Sequence, residues 1–361
     1  MAAAIISDPV QFTQLCQDLA AERELGLDTE FLRERTYFAQ LCLLQLSFGA
    51  RALCVDTLAL ADLDALRPIM ATPLTRKILH AARQDLEVLW PVTGALSGLF
   101  DTQSAASLVG LPAQIGYAEL TSRLLGTQLH KSQTRTDWAR RPLSAAQLAY
   151  ALDDVRYLPS LAQELTQRLQ QLGRWGWFEE EMAQLSGNGS FQVEPEQAWR
   201  RVKGLADLDE ARRALARTLG AWRENRAISA DRPRNWILPD AALRDIVLTV
   251  PRTAAQLAGI VELPEGVRRH SGAEILSLIE SLRLSAHLPP LPQRRRPQPA
   301  ETQAVQRLAQ LTRDTGRELG IAPEVLATRR DMERLVAGER EAPPLSGWRR
   351  AVIGERLLGA L

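Results

Sequence analysis

The sequence reads as an α/β domain followed by two helical domains. Strand-length apolar runs crowd residues 24–80, helical periodicity takes over after residue 144, and stretches rich in Gly or Pro interrupt the pattern at 187–190 and 288–301. At roughly 150 residues per domain, 361 residues suit two or three domains. The predicted boundaries are 1–190 for the α/β domain, 196–286 for the first helical domain, 287–301 for a stiff Pro- and Arg-rich connector and 302–361 for the second helical domain.

Residues 24–30 (ELGLDTE) predict a strand with a polar tip, 40–48 (QLCLLQLSF) a buried strand and 51–56 (RALCVD) a third. The short gaps between them suit an antiparallel meander. A helix is predicted over 62–70, a strand over 76–80, a helix opening at 84–90, and a strand end running into a helix at 100–110. One long helix is predicted over 144–172, with Leu148, Leu152, Val155 and Leu158 on one stripe. Strands followed by alternating helices and strands imply a mixed sheet covered by helices. Trp199, Trp222 and Trp236 read as core residues of the first helical domain.

Composition narrows the function classes. Hydrophobic residues make up 45% and charged residues 24%, as in an ordinary globular chain. Cys16, Cys42 and Cys54 form no C-x-x-C pair, which fits small core residues in a reducing compartment and no structural zinc. The start MAAAIISDPVQF lacks a basic region followed by a long apolar segment, and no stretch approaches the ~20 apolar residues of a membrane span, so a cytoplasmic protein with no membrane partner is expected. The net charge of +1 hides a split: residues 1–199 carry 16 Lys+Arg against 23 Asp+Glu, and residues 200–361 carry 28 against 20. An acidic half joined to an Arg-rich half suits a metal-dependent part beside a part that touches polyanions, although Arg as the preferred surface cation would look the same.

Carboxylates supply the candidate chemistry. Asp28 and Glu30 lie two apart on a predicted strand, so both point to one face behind the apolar Leu25 and Leu27. Two adjacent carboxylates at the end of a buried strand repel each other and lose hydration, and a divalent cation compensates both. Asp85 opens a helix after the strand RKILHAA, where it also suits the helix dipole. His80 ends that strand as a candidate substrate contact, with a hydrogen-bonded structural role as the alternative. Tyr150 and Asp154 are four apart on a periodic helix and share a face, but Asp153 is nearly as well placed, and spacing does not separate it from Asp154.

Together these segments resemble the three motifs of the DEDD exonuclease superfamily, in the variety with a tyrosine in the third motif. LGLDTEFLRERTYFAQLCLLQLS (25–47), KILHAARQDLEVL (77–89) and YALDDVRYL (150–158) carry the likeness. FDTQ (100–103) and K-S-x-x-R-T-D-W-x-x-R-P-L (131–143) narrow it to the ribonuclease D family. Residues 215–260 resemble an HRDC domain, and the chain end PPLSGWRRAVIGERLLGAL is similar to a divergent second HRDC copy.

The resemblance implies a ribonuclease H-like (DnaQ-like) exonuclease sheet. It also implies two Mg²⁺ or Mn²⁺ ions held by Asp28, Glu30, Asp85 and Asp154, with Tyr150 orienting the attacking water. The family's third-motif aspartate precedes a Val, as Asp154 precedes Val155, which reads Asp154 rather than Asp153 as the ligand. The implied activity is hydrolysis of RNA from the 3′ end to nucleoside 5′-monophosphates, with tRNA precursors bearing 3′ extensions as substrate.

Thr29 and Phe31 flank the ligands and are candidates to meet the terminal nucleotide, with sheet packing as the alternative. Lys131, Arg135 and Arg141 are candidate phosphate contacts. No nucleotide cofactor is expected, and a monomer is. A DNA-directed exonuclease is the nearest alternative, disfavoured because neither a polymerase nor a helicase motor accompanies the motifs. A non-catalytic RNA-binding scaffold is disfavoured because all four carboxylates are intact.

Overall fold

The structure, a computed structural model, describes residues 5–129, 136–187, 194–205, 208–283 and 298–361. Most of the predicted 187–190 linker, the core of the Pro- and Arg-rich connector, Lys131 and Arg135 lie outside the described residues. The chain divides into two compact units: Met1–Leu32, Leu41–Asn188 and Pro297–Leu361 form one, and Arg33–Gln40 with Gly189–Arg296 form the other.

The first unit is built on a six-stranded sheet in the order β1-β4-β3-β2-β5-β6, with β1 Ile5–Ile6, β2 Glu24–Leu32, β3 Gln40–Phe48, β4 Arg51–Val55, β5 Arg76–Leu79 and β6 Leu99–Asp101. β3 and β4 are antiparallel, whereas β1 with β4, β2 with β5, and β5 with β6 are parallel, so the sheet is mixed as the pattern predicts. Residues 41–48 of β3 are all buried, which explains why that strand is apolar throughout rather than alternating.

The helices of this part are α1 Pro9–Ala20, α2 Arg67–Ala71, α3 Arg83–Thr93, α4 Thr102–Leu108, α5 Tyr117–Leu125, α6 Ala145–Arg156, α7 Leu158–Gln171 and α8 Trp175–Ser186. The single helix predicted over 144–172 is two, broken at Tyr157. Pro159 sits in the first turn of α7, where its missing N–H costs nothing, and it disfavours helical backbone just before it. A capping box between Ser144 and Gln147 starts α6. Gly26 on β2 lets this layer approach: a Cβ there would come within 2.2 Å of Ser47 Oγ, 3.1 Å of the Val155 carbonyl and 3.2 Å of Leu158 Cβ.

The second unit contains α9 Glu210–Ala230, α10 Arg234–Ile237, α11 Asp240–Thr249, α12 Ala254–Ala258 and α13 Glu265–Ser281. Its core joins Trp199, Leu215, Leu219, Leu243, Ile246 and Ile275. Trp199 is buried as expected and Trp222 is partly buried, but Trp236 is 56% exposed. The four-residue α10 carries too short a stripe to bury it, so the prediction of a core residue fails there.

Arg33–Gln40, the connection from β2 to β3, belongs to this second unit. Its Tyr37 hydroxyl donates to Glu224, a carboxylate with 0% side-chain exposure, and Arg234 donates to both oxygens of the same carboxylate at 2.7 and 2.8 Å. The Arg234 guanidinium also lies over the Tyr37 ring at 4.9 Å, and the backbone N–H groups of Tyr37 and Phe38 donate to Asp231.

The C-terminal helices α14 Pro299–Leu319, α15 Pro323–Leu326 and α16 Arg329–Val336 are followed by helical turns at Gly347–Arg349 and Glu355–Gly359. They lie in the first unit and share its core: Leu308, Leu326, Leu335 and Trp348 cluster with Phe100, Leu161, Leu165 and Phe178. Trp348 stacks on Trp177 at 4.5 Å and donates to Glu181 at 2.7 Å. The stretch expected as a domain of its own is therefore part of the sheet's unit. A helical stripe has the same period whether it closes on itself or on a neighbour, so the sequence did not distinguish them. Among the described residues no helix is long and apolar enough to cross a membrane.

Candidate active site

Alternation along β2 sends Gly26, Asp28 and Glu30 to the side occupied by α6 and α7, and Thr29 to the side of α3. Asp154 on α6 meets the first pair: one carboxylate oxygen each from Asp28, Glu30 and Asp154 lie within 4.8 Å of one another. Asp85, in the first turn of α3, approaches from the other side and accepts a 2.6 Å hydrogen bond from Thr29 Oγ1. Asp153 points elsewhere, with its carboxylate 2.8 Å from Arg156 and its carbonyl accepting from Tyr117. The ambiguity that spacing left between Asp153 and Asp154 is thus a matter of which neighbour each one meets.

The electrostatics of this cluster are unfavourable without a counter-ion. Burial, then repulsion from Asp85, Asp154 and Glu30, pushes Asp28 well above the usual carboxylate range. Burial and the repulsion of Asp154 and Asp85 push Glu30 up to about 8. Asp154 rises to about 7, chiefly through burial, although Tyr150 hydrogen-bonds to it and opposes the rise. Asp85 rises to about 6 through burial, opposed by the Thr29 hydroxyl. Hard carboxylate oxygens, crowded and unneutralised, are the donor set that suits divalent cations such as Mg²⁺ or Mn²⁺. The residues present therefore fit a metal centre.

A cavity of about 470 Å³ opens on the cluster, lined by Asp28, Glu30, Asp85, Tyr150 and Asp154 together with Thr29, Phe31, His80, Tyr117 and Trp138. Tyr150 is held on the neutral side of its titration by burial and by the charge of Asp154. The ring of Trp138, itself buried, lies 6.2 Å from that of Tyr150.

The remaining predicted site residues divide. Thr29 and Phe31 line the cavity, but the Thr29 hydroxyl is committed to Asp85. His80 reaches the cavity edge with both ring nitrogens engaged, Nδ1 with Thr102 Oγ1 at 2.9 Å and Nε2 with the Ile115 carbonyl at 3.0 Å. Burial lowers its pKa, opposed by the charge of Asp101 and the bond to Ile115. Arg141 turns away: its guanidinium pairs with both oxygens of Asp56 at 2.7 Å and donates to the carbonyls of Cys42, Trp138 and Arg140. Those bonds engage all three of its nitrogens, so in this arrangement no donor is left for phosphate.

Three contributors escaped the sequence reading. Asp101 in FDTQ accepts from the backbone N–H groups of Ala81 and Ala82 at 3.0 Å and also caps α4. It thereby holds the turn, with Ala81 at φ 57°, that launches the helix bearing Asp85. Tyr117 accepts from the Tyr157 N–H and lines the cavity, with no signal in the sequence to mark it. Gln45 donates to Asp28 Oδ2 at 3.3 Å, and its signal was visible: one amide in the middle of an apolar strand.

Comparison with known proteins agrees with this geometry. A 3′–5′ exonuclease family model matches residues 3–170 and an HRDC domain model matches residues 212–279. The chain is 36% identical to a ribonuclease D of Granulibacter bethesdensis, over 98% of this chain and 91% of that protein. It is 34% identical to a ribonuclease D of Pseudomonas paraeruginosa, over 99% and 96%. The crystal structure of Escherichia coli RNase D, described as an exoribonuclease involved in structured RNA processing, superposes with a TM-score of 0.87 at 30% identity, covering 100% of this chain and 99% of that one. The catalytic core of RRP6 from Trypanosoma brucei shares the fold, with a TM-score of 0.56 at 22% identity over 79% and 80% of the two chains.

Proposed function

The chain belongs to the ribonuclease D family of 3′→5′ exoribonucleases, and from that premise we propose that Asp28, Glu30, Asp85 and Asp154 hold the metal ions with which it trims RNA 3′ ends. Its substrates are tRNA precursors with 3′ extensions, its products nucleoside 5′-monophosphates, and its metal Mg²⁺ or Mn²⁺. It acts as a monomer. The observation that carries the reading is the crowded group of carboxylates, Asp85 buried and the other three half-buried, with no cationic side chain among the described residues lining their cavity.

Two divalent cations bound there would lower the pKa of a water and neutralise the charge that gathers on the scissile phosphate and the leaving oxygen. The rest falls to the chain. A water oxygen attacks phosphorus, the bond from phosphorus to the 3′ oxygen breaks, and that oxygen leaves with a proton. Tyr150, a neutral phenol hydrogen-bonded to Asp154, is a poor base but a good orienter, because its oxygen has a lone pair for the attacking water. Thr29 keeps Asp85 turned toward the site through its hydroxyl. Phe31 and Trp138 supply apolar wall in a cavity of about 470 Å³, a size that suits one terminal nucleotide rather than a duplex.

The test is nucleotide release from a 3′-extended tRNA with Mn²⁺, with chelator, and with Asp28→Ala. Metal-dependent release that the substitution abolishes is expected, with RNA binding retained. Full turnover in Asp28→Ala sinks the assignment, and faster cleavage of single-stranded DNA than of the tRNA would redirect the substrate.

A further inference from the structure

Strand β3 is apolar along most of its length, yet Gln45 and Ser47 interrupt it, two apart and on one face. Both are buried, at 0% and 3% exposure. Gln45 Nε2 donates to Asp28 Oδ2 at 3.3 Å. Ser47 Oγ donates at 2.7 Å to the carbonyl of Val155, the residue after Asp154. Gly26 lies beneath the second bond, since any Cβ there would collide with the Ser47 hydroxyl.

We propose that Gln45 and Ser47 are positioning residues that set the spacing between Asp28 on β2 and Asp154 on α6 before a cation arrives. The proposal rests on the reading of those two aspartates as metal ligands. The two carboxylates come from elements far apart in sequence and repel each other, so without a brace each would turn away from the other. Gln45 ties one Asp28 oxygen to the sheet. Its amide is neutral, so it orients the carboxylate without replacing the cation, as an arginine there would. Ser47 acts on the backbone instead and fixes the stretch of α6 that carries Asp154. The second polar atom of Gln45, Oε1, has no hydrogen-bond partner among the described residues. A buried amide serving the fold alone would be a poor choice, because an apolar side chain of the same size leaves no such atom unmet.

The experiment measures Mn²⁺ binding to the full-length protein by calorimetry for Gln45→Met, which keeps the length and removes the donor, and for Ser47→Ala. Partners of this kind tune metal affinity by about 10–100-fold, so the Kd is expected to rise at least about tenfold in each variant. Thermal melting of the metal-free variants is followed alongside. A lowered melting temperature with unchanged Kd in both variants means the residues serve only the fold, and overturns the proposal. Asp28→Asn separates the two layers. If it binds Mn²⁺ like the parent, the site reading fails and takes this proposal with it. If it loses binding while Gln45→Met and Ser47→Ala keep the parental Kd, only the positioning role is wrong.

Discussion

Two carboxylate settings in this chain, one buried and one half-buried, are solved in opposite ways. In the second unit Glu224 is fully buried and meets its own counter-charge: Arg234 donates to both its oxygens and the Tyr37 hydroxyl to one of them. In the first unit Asp28, Glu30, Asp85 and Asp154 are crowded together, and the donors recorded for them are hydroxyls from Thr29 and Tyr150, an amide from Gln45 and the backbone N–H groups of Thr29 and Asp85, all neutral. A buried charge that folding needs is paired within the fold. Carboxylates left without a counter-charge in the fold are suited to one from outside, which we propose is a divalent cation. Asp85 is buried like Glu224 while Asp28, Glu30 and Asp154 are half-buried, so burial alone does not separate the two settings. The identity of the neighbours does.

The contrast is sharpened most by neutralising one member of each. Asp154→Asn is expected to cut metal-dependent nucleotide release by about a thousandfold. It should also raise the melting temperature of the metal-free protein at pH 8, because it removes one repelling charge. A lowered melting temperature there would show that the cluster is not under electrostatic strain. Glu224→Ala is expected to do the reverse to stability. It strands Arg234 and the Tyr37 hydroxyl, at a cost near the lower end of the ~3–5 kcal/mol typical of broken buried pairs, since Arg234 keeps 34% of its side chain exposed. Denaturant unfolding measures it, and a loss of less than about 1 kcal/mol would erase the distinction between the settings.

Proton linkage gives a smaller effect of definite sign. The folded-state pKa of Glu30 is about 8 against an ordinary 4.5, and that of Asp154 about 7 against 3.8. Groups raised in this way contribute stability that is fully present below the unfolded values and is lost as pH rises through the folded ones. The metal-free protein should therefore melt several degrees lower at pH 8 than at pH 5, and saturating Mn²⁺ should close most of the gap. A metal-free melting temperature that climbs between those pH values contradicts the account. The smallest effect belongs to Tyr37→Phe. It removes one hydrogen bond to a charged group, about 1.5 kcal/mol, while Arg234 still holds Glu224. A cost matching that of Glu224→Ala would mean that the tyrosine, not the arginine, is the main partner.

Much of the sheet was legible beforehand because its signals are local. The strands over 24–30, 40–48, 51–56 and 76–80 follow from apolar runs bounded by turns, and β2 to β5 lie within a residue or two of them. The divided helix at Tyr157 was also written locally, in Pro159, but the unbroken apolar stripe masked it. Less legible were the partners. Arg141 looked like a free cation beside a nucleic-acid site because nothing in its neighbourhood announces Asp56, 85 residues away in sequence. Trp236 looked like core because tryptophans in helical stretches usually are.

Period-two alternation is a property of the strand itself, so the sequence alone determined that Asp28 and Glu30 share a face. Helical spacing likewise put Tyr150 and Asp154 together, and the apolar stretches placed β2 to β5, though not the two-residue β1. Only the tertiary structure decided that Asp154 rather than Asp153 meets the strand pair and that Asp85 arrives from the far side of β2 on a Thr29 hydroxyl. It also decided that the last helices close the core of the sheet. Periodicity states which way a side chain points, whereas long-range packing states what it meets, and the chemistry of a metal site depends on both.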